Sequence, residues 1–303
     1  MKVLITGATG LVGTALVEFL PGDGHEICRL LRKRVVDEPE AKQGCDLEWD
    51  PRSGDFGRAA EDADAVVNLA GASIADGRWT DDRKKLLRDS RVETTRGLVA
   101  AMEKMSPRPR VLVSASAVGY YGSRGSELLT EDSGSRGDFL GRLAEEWEAE
   151  AVKAQALGVR VVRLRFGIIL AKRGGALRQM MLPFRVGAGG KLGPGTQWMS
   201  WVALADVVRV VRFVLENQAV SGAINVVSPQ PVTNAEFTKV LARAMHRPAF
   251  LTVPSFALRA LFGEMADALL ASERVVPRAL QESGYQFLYT DLGAALTAIL
   301  RSE

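Results

Sequence analysis

The chain has 303 residues with 39 basic and 36 acidic side chains, a net charge of +3, and 47% apolar residues. That is an ordinary globular protein of about two domains, without the charge excess of a nucleic-acid binder. Two histidines (His25, His246) and two cysteines (Cys28, Cys45) exclude a clustered zinc site and a disulfide framework, and leave little for nucleophilic catalysis.

In chain order, residues 2–6 form a β-rich run and 11–20 carry helical periodicity. Strands are expected at 25–30, 46–49, 65–69, 110–114 and 159–166, with one long helix at 80–104 and another at 139–157. Strands alternating with helices of this length indicate a parallel sheet covered on both faces. After Phe166 the glycines and prolines of 174–195 mark a loop-rich crossing, followed by a last strand at 223–227. The tail is helical: Thr233 and Glu236 have capping-box spacing, His246 stands near a helix C-terminus, and helices follow near 255–262, 277–283 and 292–300. The expected fold is a Rossmann-type doubly wound α/β sheet with a smaller, mostly helical C-terminal lobe. A dinucleotide-binding domain would cover 1–170, borrowing sheet residues from 190–230, and a substrate-side lobe 171–303.

The two thiols fit a reducing compartment. The N-terminal apolar run is too short for a signal peptide, and no stretch approaches the ~20 apolar residues of a membrane span. The expectation is a cytoplasmic protein with a small-molecule substrate, no membrane or nucleic-acid partner, and a monomeric or homodimeric state.

Between the first strand and helix lies GATGLVG, with Gly7, Thr9, Gly10, Leu11, Val12 and Gly13. Gly7 permits a tight turn, Gly10 lets a pyrophosphate approach the backbone, and Gly13 lets helix and sheet pack closely. The helix N-terminus offers free N–H groups and a positive dipole end to phosphate. At the end of the second strand an NAD site wants a carboxylate for the ribose 2′-hydroxyl. Here Leu31 is followed by Arg32, Lys33 and Arg34, inside a basic run starting at Arg29. A guanidinium at that place suits a 2′-phosphate, so NADP(H) is the expected cofactor, read first by Arg32 and then by Lys33.

The glycine turn, NLAGA at 68–72 and SAS at 114–116 together resemble the extended short-chain dehydrogenase/reductases. Ser90-Arg91, Trp147-Glu148, GGAL at 174–177, LPF at 182–184, SWV at 200–202 and the late TNAEF and RPAF segments narrow this. They resemble the atypical subgroup of epimerase family proteins, whose C-terminal domain has no known function. The resemblance implies that Leu69, Ala70 and Gly71 pass beside the adenine ribose and pyrophosphate, and that Arg91 and Ser114 reach cofactor. It places Gly167 and Ile168 near the nicotinamide, and Ser116 at the catalytic serine position.

Family chemistry also needs a tyrosine with a lysine four residues on, early in the helix after the serine strand. That window, 135–143, contains neither. Asp138 and Arg142 share the spacing but read as an exposed ion pair. Tyr120 and Tyr121, just past the serine strand, are the alternative proton donors. Trp198 and Trp201 fit either a substrate cleft or core packing. Lys172, Arg173, Arg178 and Arg185 fit either a second phosphate or a solvated face. Two functions follow: an NADP(H)-dependent oxidoreductase or epimerase acting on a carbonyl or secondary alcohol, including a sugar nucleotide, or a non-catalytic NADP(H)-binding sensor or interaction protein.

Overall fold

Short aliphatic runs such as KVLIT and AVVN alternate their side chains between two buried faces, so they can be covered only by helices on both sides. The computed structural model, which describes residues 1–32, 44–57, 60 and 62–301, has this arrangement. Seven strands make one wholly parallel sheet: β1 (Lys2–Thr6), β2 (Glu26–Leu31), β3 (Gly44–Glu48), β4 (Ala65–Asn68), β5 (Val111–Ala117), β6 (Arg160–Phe166) and β7 (Gly222–Val226). Their order is β7-β6-β5-β4-β1-β2-β3. The order in which strands are added therefore reverses between β1 and β4, and the crevice beyond the carboxyl ends of those strands is where ligands of such sheets bind.

Val3, Ile5, Val67 and Val113 point to one face, where α1 (Leu11–Phe19) and the valine-rich α6 (Leu204–Glu216) close the core. Leu4, Val66 and Leu112 point to the other, against α3 (Val92–Glu103) and α4 (Phe139–Val152). The expected long helix at 80–104 is instead two. α2 (Asp81–Asp89) ends where the Ser90 hydroxyl bonds back to the Leu87 carbonyl and accepts the Ala72 N–H, and α3 starts after Arg91. The helix expected at 139–157 is α4 continued by a 3₁₀ turn, Lys153–Leu157, and stopped at Gly158 with φ of 80°.

The C-terminal lobe has its own core, in which α5 (Gly175–Arg185), α7 (Asn234–Met245) and α11 (Leu292–Arg301) pack Leu177, Phe184, Phe237 and Leu296 around Trp201. The Thr233 hydroxyl accepts the Glu236 N–H as the capping spacing predicts, and His246 ends α7 with φ of 53°. Fully buried Asp206, on α6, accepts the N–H groups of Leu288 and Tyr289 and the Tyr285 hydroxyl, tying the segment before α11 to the sheet. Two further helices, α8 (Ser255–Phe262) and α9 (Met265–Leu270), bring Phe262, Met265 and Leu269 over the α4 end of the crevice.

Candidate functional site

The turn after β1 is closed by a hydrogen bond from the Gly10 N–H to the Gly7 carbonyl, 3.0 Å. Gly7 has φ of 66°, and a β-carbon there would lie 2.6 Å from the Leu69 carbonyl oxygen. A β-carbon on Gly13 would sit 2.2 Å from the Gly7 oxygen. Both positions therefore exclude every side chain. Thr9 and Gly10 are exposed, Leu11 and Val12 are half-buried, and α1 starts with no side-chain cap and no acidic residue in its first turn. Its first N–H groups face the crevice with the positive end of the helix dipole. Gly175, at the start of α5, packs against Leu11, so the lobe borders the turn directly.

β2 ends at buried Leu31, with Arg32 exposed just beyond it. Lys33 lies outside the described residues. Arg29, the first residue of the basic run, points away into a two-bond ion pair with Asp46 on β3, both bonds 2.6 Å. The same strand pairing sets Cys28 opposite Cys45 with Cα atoms 4.5 Å apart, and their sulfurs are bonded. The expectation of two separate thiols is thus corrected: adjacent parallel strands in this register leave the side chains facing each other, which spacing along the chain does not reveal.

Leu69, Ala70 and Gly71 follow β4 at the switch point, the first two half-buried and Gly71 exposed. Arg91 lies under this loop. Its guanidinium donates to the Ala72 carbonyl at 2.9 Å and the Leu87 carbonyl at 3.0 Å, and covers the Trp147 ring at 5.3 Å. No carboxylate pairs with it among the described residues. Burial, reinforced by the charge of Arg83, lowers its pKa to about 10. Ser114 is only 1% exposed; it accepts a bond from Asn68, whose amide also reaches Thr95, in a knot that ties β4 and β5 to α3. It faces the helical layer rather than the crevice, because side chains alternate along β5.

A second polar knot holds two of the three proposed catalytic residues. The Ser116 hydroxyl donates to Glu148 at 2.7 Å, and Glu148 also receives two bonds from Arg165 and one from Arg163. The Tyr121 hydroxyl, fully buried, donates to Asn225 and accepts from Arg165. Burial pushes its pKa up to about 12. Both hydroxyl protons are thus committed to partners inside the protein. Tyr120 differs: half-buried, it packs its ring 3.5 Å from the Arg165 guanidinium carbon and its hydroxyl carries no hydrogen bond among the described residues.

Where the family's tyrosine and lysine would stand, α4 presents Phe139, Leu140 and Leu143. These join Trp79, Ala115, Phe166, Phe262 and Met265 in one apolar cluster across the mouth of the crevice. Asp138 caps α4 through the Gly141 N–H at 2.7 Å, and Arg142 donates to the Gly137 carbonyl, so the two form no catalytic pair. Gly167 and Ile168 pass along the strand that pairs with 201–203, and a β-carbon on Gly167 would meet the Ser200 oxygen at 2.5 Å. Trp201 is core, bonded to the Gln230 carbonyl; Trp198 is half-buried beneath Arg274. Arg173, Arg178 and Arg185 are exposed.

One residue escaped the sequence reading. Glu273 follows α9, and its carbonyl receives the Ser200 hydroxyl beside Gly167 at 2.7 Å. Burial, with the negative charge of Asp138, raises its carboxyl to about pKa 7. Nothing in the surrounding sequence marks it, because its desolvation comes from the lobe docking against α4.

No helix among the described residues is long and apolar enough to cross a membrane, and no group of His, Cys, Asp or Glu there could hold a metal. Residues 3–227 match the model of the NAD dependent epimerase/dehydratase family, and 253–299 match a domain of unknown function, DUF1731. An epimerase family protein of Mycobacterium bovis is 43% identical over 296 residues, covering 97% of this chain and 96% of its own. One from Bacillus subtilis is 38% identical over 301 residues, covering 99% and 98%. The human epimerase family protein SDR39U1, solved with NADPH, superposes with a TM-score of 0.88 at 35% identity, covering 99% of each chain. A UDP-glucuronic acid 4-epimerase from Bacillus cereus, at 17% identity and a TM-score of 0.79, shares the fold. The chain belongs to the NAD dependent epimerase/dehydratase family, as an epimerase family protein carrying the DUF1731 domain at its C-terminus.

Proposed function

We propose that the crevice binds NADP(H) and that the protein is an oxidoreductase for a carbonyl or secondary alcohol of apolar character. The observation that carries this reading is the glycine cradle, at Gly7 and Gly13, set against an uncapped helix N-terminus and the Leu69–Gly71 loop. The residues fit a dinucleotide. The turn leaves backbone N–H groups for a pyrophosphate, Arg32 is exposed where a 2′-phosphate would lie, and Arg91 is a half-buried cation without a carboxylate partner among the described residues. A similar protein, human SDR39U1, was solved with NADPH.

A nicotinamide supplies or accepts hydride when bound. In this reading Trp79, Phe139, Phe166 and Met265 exclude water and hold an apolar substrate against the ring, while Gly167 lets the segment carrying Ser200 pack against its backbone. That lining argues against the polar sugar of a sugar nucleotide. Ser116 positions Glu148 and Arg165 rather than touching substrate. Tyr120 remains as the proton donor, since the Tyr121 hydroxyl is committed to Asn225 and Arg165. A second reading, a non-catalytic NADP(H) sensor, draws on Phe139 and Leu143 standing where the family keeps its tyrosine and lysine.

The test follows nicotinamide absorbance with NADPH and a panel of apolar ketones, aldehydes and sugar nucleotides. The proposal predicts turnover on apolar carbonyls that falls about ten-fold or more in Tyr120→Phe, and that survives Tyr121→Phe. NADPH binding without turnover on any compound would select the sensor reading.

A further inference from the structure

The C-terminal lobe carries a groove of about 580 Å³ between α7 and the two-stranded ribbon of 190–192 with 251–253. None of the residues lining it belongs to the crevice. Its walls bring together Lys191, Lys239, Arg243, His246 and Arg247, with Phe250 at the rim. No acidic side chain lines it, and none of these cations forms an ion pair among the described residues. Several surface arginines elsewhere are matched to carboxylates, as Arg88 to Glu146, Arg96 to Glu150, Arg124 to Glu127 and Arg259 to Asp267. Those unmatched among the described residues, such as Arg173 and Arg185, line no common groove with an aromatic ring.

The groove's arrangement costs stability. Lys239 and Arg243 are one turn apart on α7, where like charges repel, and Arg247 follows directly after the helix cap. The dipole at the C-terminus of α7 offsets part of this repulsion, but it reaches only the last turn and does not account for Lys191 across the groove. Phe250 is 76% exposed, an aromatic face held in water beside the cations. A near-neutral protein with one confined basic groove has no extended track for a nucleic-acid strand. The volume lies within the ~300–1,000 Å³ of small-ligand sites.

We infer that this groove is a second ligand site, for a nucleoside polyphosphate. Its phosphates neutralise Lys239, Arg243 and Arg247, and its base stacks on Phe250. Thr238 and Thr252 in the lining offer hydroxyls to the same ligand. The site is independent of what the crevice binds.

Calorimetric titration of the full chain with ATP at physiological salt tests it. With the crevice filled by saturating NADPH, one saturable site is expected, weakened at least about ten-fold by Lys239→Gln/Arg243→Gln. Phe250→Ala should weaken ATP several-fold while leaving inorganic tripolyphosphate as it was. Lys239, Arg243 and Phe250 are exposed, so thermal melting of each variant should match the parent and separate lost binding from lost folding. The inference is overturned if ATP shows no saturable binding, or if saturating NADPH abolishes all of it. It is overturned equally if a poly-glutamate peptide or a single-stranded oligonucleotide binds the groove and ATP does not.

Discussion

Individual side chains decide what chemistry the crevice can do. Serine and tyrosine at 116 and 121 look catalytic as letters, but each hydroxyl is already satisfied: Ser116 by Glu148, Tyr121 by Asn225 and Arg165. Glu273 is the opposite case, ordinary in sequence and shifted in the fold. Its pKa of about 7 lies above the ordinary 4.5, so between these values the unfolded chain has released a proton that the folded chain keeps. Stability therefore falls as pH rises from 4.5 through 7 and levels off above. Glu273→Gln mimics the protonated carboxyl. Its melting temperature should match the parent at pH 5 and exceed it by a few degrees at pH 8. Equal melting at both pH values would show that the carboxyl titrates normally.

Elements hold these side chains in place, and here the sequence was legible unevenly. The glycine turn, seven strands and capped α7 were readable because they depend on local patterns: aliphatic alternation, glycine spacing, a threonine three residues before glutamate. The split between α2 and α3 was not. It depends on Ser90 bonding both Leu87 and the distant Ala72, a contact created only when the loop after β4 folds back. The pairing of Cys28 with Cys45 and the burial of Ser114 escaped for the same reason, since strand register and facing are tertiary facts. The Glu148 knot joins α4 to β5 and β6 through buried charges, and its removal tests that description. Glu148→Gln leaves Arg165, 3% exposed, without its counter-charge. The loss should be about 3–5 kcal/mol in chemical denaturation. A change within about 0.5 kcal/mol, the size of an ordinary surface substitution, would mean that the knot does not stabilise this part of the sheet.

At the scale of the molecule, the near-neutral charge balance conceals two local excesses. One is the exposed Arg32 at the end of β2, beside the switch point; the other is the groove on the lobe. The scarcity of histidine and cysteine leaves a bound dinucleotide as the carrier of chemistry, and α8 and α9 close an apolar mouth over the place where it would react. The central claim is that this crevice reads the 2′-phosphate of NADP(H). It is tested most directly by titrating NADPH and NADH, by nicotinamide fluorescence, against the protein and Arg32→Asp. A charge-assisted contact of ~1.5–3 kcal/mol predicts NADPH binding about ten-fold or more tighter than NADH, with the preference lost in the variant. Equal affinity of the parent for both nucleotides, or a preference that survives Arg32→Asp, would contradict it.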